Sequence, residues 1–152
     1  MPRSSQKMTN SKYGICLDMN GDGGLTDEKF IPGSRFEVQF PNLAAAQIPG
    51  LFWTAPYPCK VIRAYERHVT VAGQAGTMQV EKTPSGTAPG SGTATLATAF
   101  DLTSTANTNV SVSALTTAAA QLAAGDSLST KLASGAATSY AGGCLSVVLE
   151  WT

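Results

Sequence analysis

A chain of 152 residues with ten basic and ten acidic side chains has room for one core-bearing domain and carries no net charge. That excludes two full domains, a general nucleic-acid binder and a protein drawn electrostatically to an anionic membrane. Hydrophobic residues reach 43% but charged residues only 13%, against a usual ~25%, and nearly half the chain is Ala, Thr, Gly or Ser, so the surface is built from hydroxyls and methyls.

Residues 1–33 read as an extended N-terminal arm. Arg3, Lys7 and Lys12 come first, no apolar stretch of signal-peptide length follows, and across the segment apolar residues appear singly, without a sustained helix or strand period. Asp18, Asn20, Asp22 and Gly23 match the first half of a calcium loop, with oxygen side chains at alternate positions and a glycine for the turn. The second half fails, because Lys29 occupies the position of the bidentate glutamate and Glu28 falls one place early. The expectation is a turn-rich loop without tight calcium binding.

From residue 34 the grammar changes to a sandwich domain, 34–152. Phe36, Val38 and Phe40 alternate with Glu37 and Gln39, the period of a half-buried strand, closed by Pro41 and Asn42. The stretch 48–58 concentrates Phe52, Trp53 and Tyr57 among three prolines. Exposed, these aromatics would anchor an interface or stack on sugar; buried, they would cap one end of the core. Residues 59–71 are rich in β-formers, 77–83 alternate, and the connector 72–76 predicts a hairpin between them. The stretch 83–92 is a Pro/Gly/Ser surface loop.

Three further amphipathic strands are predicted around Val110 and Val112, Leu128 to Leu132, and Leu145 to Trp151. Between the first two, Leu115, Ala118, Ala119 and Leu122 fall at helical spacing and Gly125 offers a stop, so a short helix or helical turn precedes Asp126. Seven or eight short strands with at most one short helix predict an all-β, antiparallel sandwich. Only four charges follow Ser85, so this face is expected to be covered by neighbours in an assembly.

Little chemistry is legible. His68, the only histidine, sits with Arg63, Glu66 and Arg67 in a strand pattern and reads as a half-exposed charged strand edge rather than a general base. The three cysteines, Cys16, Cys59 and Cys144, are odd in number and widely spaced; this predicts reduced thiols, with Cys59 and Cys144 buried.

The run Phe36-x-Val38-x-Phe40, Pro49-Gly-Leu51, Ala55-Pro56, Ala72-Gly73, Ala88-Pro-Gly-Ser-Gly92, Phe100-Asp-Leu-Thr103, Ala106-Asn-Thr108, Leu122-Ala-Ala-Gly-Asp126 and the closing Gly142-Gly143 strand resembles the jelly-roll head decoration (capsid cement) proteins of tailed bacteriophages. The resemblance covers about residues 36–152. It implies a virion protein without catalysis, cofactor or metal, usually a homotrimer, made in the host cytoplasm and seated on the outer capsid surface over junctions between major capsid proteins. No nucleic acid, membrane or small-molecule substrate is expected. On this reading Arg3, Lys7, Lys12, Tyr13, Ile15 and Leu17 form a capsid-gripping arm that orders on docking, and Phe52, Trp53 and Tyr57 form the candidate oligomer interface. The alternative is a fibre or tail adhesion module that binds host glycans through Trp53 and Tyr57.

Overall fold

The computed structural model describes residues 33–152 in full and, before them, the backbone of 7–10, 15–19 and 25–30. Those three segments are β1 (Lys7–Asn10), β2 (Ile15–Met19) and β3 (Leu25–Phe30), paired antiparallel in the order β1-β2-β3. The expectation of an arm without a sustained period misses them, although Tyr13, Ile15 and Leu17 are spaced two apart at β2.

The remainder is an antiparallel sandwich, as its alternation predicts. In chain order it comprises β4 (Arg35–Leu43), β5 (Gly50–Thr54), β6 (Cys59–Arg67), β7 (Gly76–Thr83), β8 (Thr93–Ala94), β9 (Phe100–Asp101), β10 (Val110–Ser113), β11 (Gln121–Leu122), β12 (Ser127–Gly135) and β13 (Gly143–Trp151). The front sheet has the order β10-β6-β13-β4, with β11 also on β6; the back sheet has the order β5-β12-β7-β8, with β9 also on β7. The only helical pieces among the described residues are single 3-10 turns at Ala45–Gln47 and Ala118–Ala120. The second lies where the sequence predicted a helical turn. Thr117 caps it, and Gly125 follows with φ +90°.

The predicted hairpin between β6 and β7 does not form. The two strands lie in different sheets, and residues 68–75 carry the chain from front to back, held by Thr70 opposite Ala141 and by the Ala72 N–H to the Leu102 carbonyl at 2.9 Å. The glycine-rich connector is therefore a crossover eight residues long, with Gly76 opening β7 against Gly135.

Between the sheets, Val61, Ala64, Leu145, Val147 and Leu149 of the front meet Met78, Val80 and Leu128 of the back, with Phe100, Leu96 and Leu102 closing the sides. Each fully buried large apolar side chain contributes roughly 1.5–3 kcal/mol. This cluster therefore outweighs the few polar groups buried within it, each unsatisfied one costing about 1–3 kcal/mol.

Candidate functional site

The decisive local feature is a change of phase in β6. Leu149 stands opposite Val61 but Val148 stands opposite Arg63, so Ile62 is an extra residue, a bulge that swaps the faces of everything after it. Before the bulge Cys59 and Val61 point inward; after it Ala64, Glu66 and His68 do, while Arg63, Tyr65 and Arg67 point out. Unbroken alternation would have placed both arginines on the core face with Val61.

Inside, the bulge creates a polar pin. His68 is 0% exposed, contrary to the half-exposed strand edge read from the sequence, because the phase change turns it into the core. Its Nδ1 lies 2.9 Å from Glu66 Oε1 and its Nε2 3.1 Å from the Ser104 carbonyl, which can only accept, so Nε2 carries a hydrogen. Tyr140 donates its hydroxyl to the same Oε1 at 2.8 Å. Burial first, and then the adjacent Glu66 carboxylate, push the Tyr140 phenol well above its ordinary value and hold it as a donor. The arrangement ties β6 to the loops holding residues 104 and 140.

Outside, Arg63, Tyr65 and Arg67 stand in a row on the front sheet's outer face, all exposed. The acids of this face are already engaged. Glu150 accepts from Lys60 Nζ at 2.8 Å and Arg35 Nε at 3.3 Å, the lysine bond chiefly holding its carboxyl below the usual carboxylate range. Glu37 is likewise lowered, first by Gln39 donating at 2.9 Å and then by Ser146. Arg63 and Arg67 have no ion-pair partner among the described residues. Tyr65 is the ridge between two shallow grooves, one of ≈ 370 Å³ with Arg67, Glu37, Cys144 and Ser146, the other of ≈ 310 Å³ with Arg63, Arg35 and Val148.

On the back sheet Gln79 and Glu81 alternate with the core residues Met78 and Val80, yet both, like Thr83, are buried. Gln79 donates to the Leu96 carbonyl at 3.1 Å. The 84–92 loop folds over Glu81 and Thr83: Glu81 Oε1 accepts from the Gly90 N–H and from Ser129 Oγ, the latter at 2.6 Å, and Ser129 in turn pairs with Thr83 at 2.6 Å.

The aromatic segment divides between the two fates read from the sequence. Along the open flank where β4 and β5 end their sheets, Phe36 lies 5.7 Å from Trp53 and 4.0 Å from Trp151, and Phe40 lies 5.3 Å from Phe52. Phe52 and Trp53 are half-buried, while Leu51 and Tyr57 are 51% and 44% exposed. Tyr57 turns its edge to Trp151 at 6.2 Å. The flank thus joins half-covered rings to a nine-residue strand edge with no partner among the described residues.

Of the proposed arm residues, Lys7, Ile15 and Leu17 fall on β1 and β2, described as backbone alone, and Arg3, Lys12 and Tyr13 lie outside the described residues, as does most of the loop after Asp18. Cys59 is buried as expected, but Cys144 is exposed, because it shares the outward phase of Ser146 in β13. Among the described residues no three His, Cys, Asp or Glu gather as metal ligands, and no helix is long and apolar enough to cross a membrane.

No protein-family model and no curated protein matches the chain. Among solved structures the chain is similar to one in the Cyanophage Pam1 capsid asymmetric unit, at 12% identity and TM-score 0.42, over 88% of this chain and 98% of that one.

Proposed function

We propose that this is a structural virion protein, without catalysis, that decorates the outside of a tailed-phage capsid as a homotrimer and stabilises it by bridging neighbouring major capsid proteins. The observation that carries the reading is the open flank of β4 and β5. Monomeric β-proteins blunt long edge strands with charge, proline or a covering loop. β4 carries such devices in Arg35, Glu37 and Pro41, but β5, Gly50–Thr54, has neither charge nor proline; its Leu51 is half exposed, and its Phe52 and Trp53 lie beside Phe40 and Phe36 of β4. Such a flank suits burial against a second copy.

Two motifs of the sequence resemblance close turns of the sandwich. Asp101 accepts from the Thr103 N–H at 2.8 Å, and Asp126 accepts from the Ala123 N–H at 2.9 Å, each a side-chain-closed turn between strands. Multivalency then turns modest contacts at each copy into durable attachment.

Capsid particles prepared without this protein test the proposal. Added wild-type protein should co-sediment with them in saturable fashion and raise their resistance to heat. A chain lacking residues 2–30 should keep its melting behaviour but decorate poorly if Arg3, Lys7, Lys12, Tyr13, Ile15 and Leu17 grip the capsid. Absence of any binding by the full chain would defeat the decoration reading.

A further inference from the structure

We propose that the outer face of the front sheet, centred on Arg63, Tyr65 and Arg67, docks an extended acidic segment of the capsid subunit; the inference rests on the decoration reading and names the surface that does the recognising.

Three observations carry it. First, the face is built: the Ile62 bulge that turns Glu66 and His68 into the core also brings both arginines outward. They stand four residues apart, about 13 Å at roughly 3.3 Å per residue, which matches side chains four residues apart on one side of an extended segment lying along β6. Second, the charges are unspent. Glu150 is occupied by Arg35 and Lys60, and Glu37 by Gln39 and Ser146, so Arg63 and Arg67, without an ion-pair partner among the described residues, present guanidinium forks, the geometry that grips carboxylates bidentately. Third, the two grooves on either side of Tyr65 give a path for a chain running along β6, with the 39% exposed ring as the apolar contact between two charged ends.

Charge placement selects a protein segment over a nucleic acid. Arg35, Lys60, Arg63 and Arg67 share the face with Glu37 and Glu150, a mixed pattern that suits separated carboxylates and repels a continuous row of phosphates.

The test uses full-length protein and capsid particles prepared without it. R63A/R67A should bind the particles roughly tenfold or more weakly than wild type, R63E/R67E more weakly still, and K82A, a cation of the back sheet, as wild type does. Wild-type binding should fall as salt rises, and R63A/R67A should show a shallower dependence. Unchanged melting of each variant separates lost contact from lost fold. Wild-type binding with R63A/R67A equal to it would overturn the inference and leave the decoration reading standing, whereas failure of the wild type to bind would remove both. A DNA mobility shift by the wild type that R63A/R67A abolishes would instead assign the face to a polyanion.

Discussion

Tyr140 and Glu66 meet inside the sandwich at 2.8 Å, each 1% exposed, and the contact sets the end of β13 against β6. Gly143 makes room for it, since a Cβ there would stand 2.2 Å from the phenolic oxygen. The bulge at Ile62, which turns Glu66 inward, also turns Arg63 and Arg67 outward, so the polar pin and the basic face are two results of one inserted residue.

Replacing Tyr140 by Phe should therefore lower stability by about 1–3 kcal/mol, the cost of removing a donor from a buried carboxylate whose other oxygen is already without a partner. Urea unfolding of Y140F should show a lower midpoint at an unchanged slope. An unchanged midpoint would mean that Glu66 does not depend on the phenol.

Stability should also fall in alkali. Burial, assisted by Asp126, pushes the Cys59 thiol from its ordinary 9.0 up to about 12, so the fold holds the proton more tightly than the unfolded chain does. The contribution is complete below about pH 9 and is lost as pH rises toward about 12, with Tyr140 adding a loss in the same direction above its ordinary value near 10. C59A should flatten the first part of that decline. In a C16S background, a thiol reagent at pH 8 should label Cys144 at once and Cys59 only on unfolding.

Much of the sandwich was legible because several of its strands alternate cleanly: β4, β10 and β13 fall where Phe36, Val110 and Leu145 begin their periods. What failed was decided by single insertions and by long-range covering. The Ile62 bulge reverses the phase within one run of β-formers, which hid the burial of His68. Its trace is that Arg63 and Arg67 otherwise share a face with Val61, a conflict that only an extra residue resolves. Glu81 alternates outward correctly, but its burial depends on a loop whose landing place no local pattern encodes. The β6 and β7 connector looked like a hairpin because glycine marks both a turn and a close crossover.

The turn between β12 and β13 offers a test of that last point. Gly135 has φ +65°, and a Cβ there would lie 1.8 Å from the Ala75 carbonyl oxygen, whereas Gly86, at φ +86°, faces open space. G135A should cost clearly more than the roughly 1–3 kcal/mol of a strained backbone alone, and G86A no more than that strain. Equal melting temperatures for the two variants would show that the β7 and β12 ends separate freely.

The final prediction concerns assembly through the open flank. Light scattering on a sizing column at micromolar concentration should give three times the 15.6 kDa chain mass. L51K is the discriminating variant, because Leu51 is 51% exposed within its own chain and contributes little to the core, yet it stands beside Phe52 and Trp53 at the strand edge. A lysine there puts a charge into any apolar contact between copies and blocks strand addition, the device by which natural edges stay single. L51K should run as a single chain with secondary structure intact, and Trp53 fluorescence should shift to the red as its surroundings become wetter. Host polysaccharide should leave that fluorescence unchanged, because the Trp53 ring already lies against Phe36. A wild-type mass of one chain would remove the flank as a self-interface, and a saturable polysaccharide response lost in W53A with the fold retained would reassign it to glycan binding.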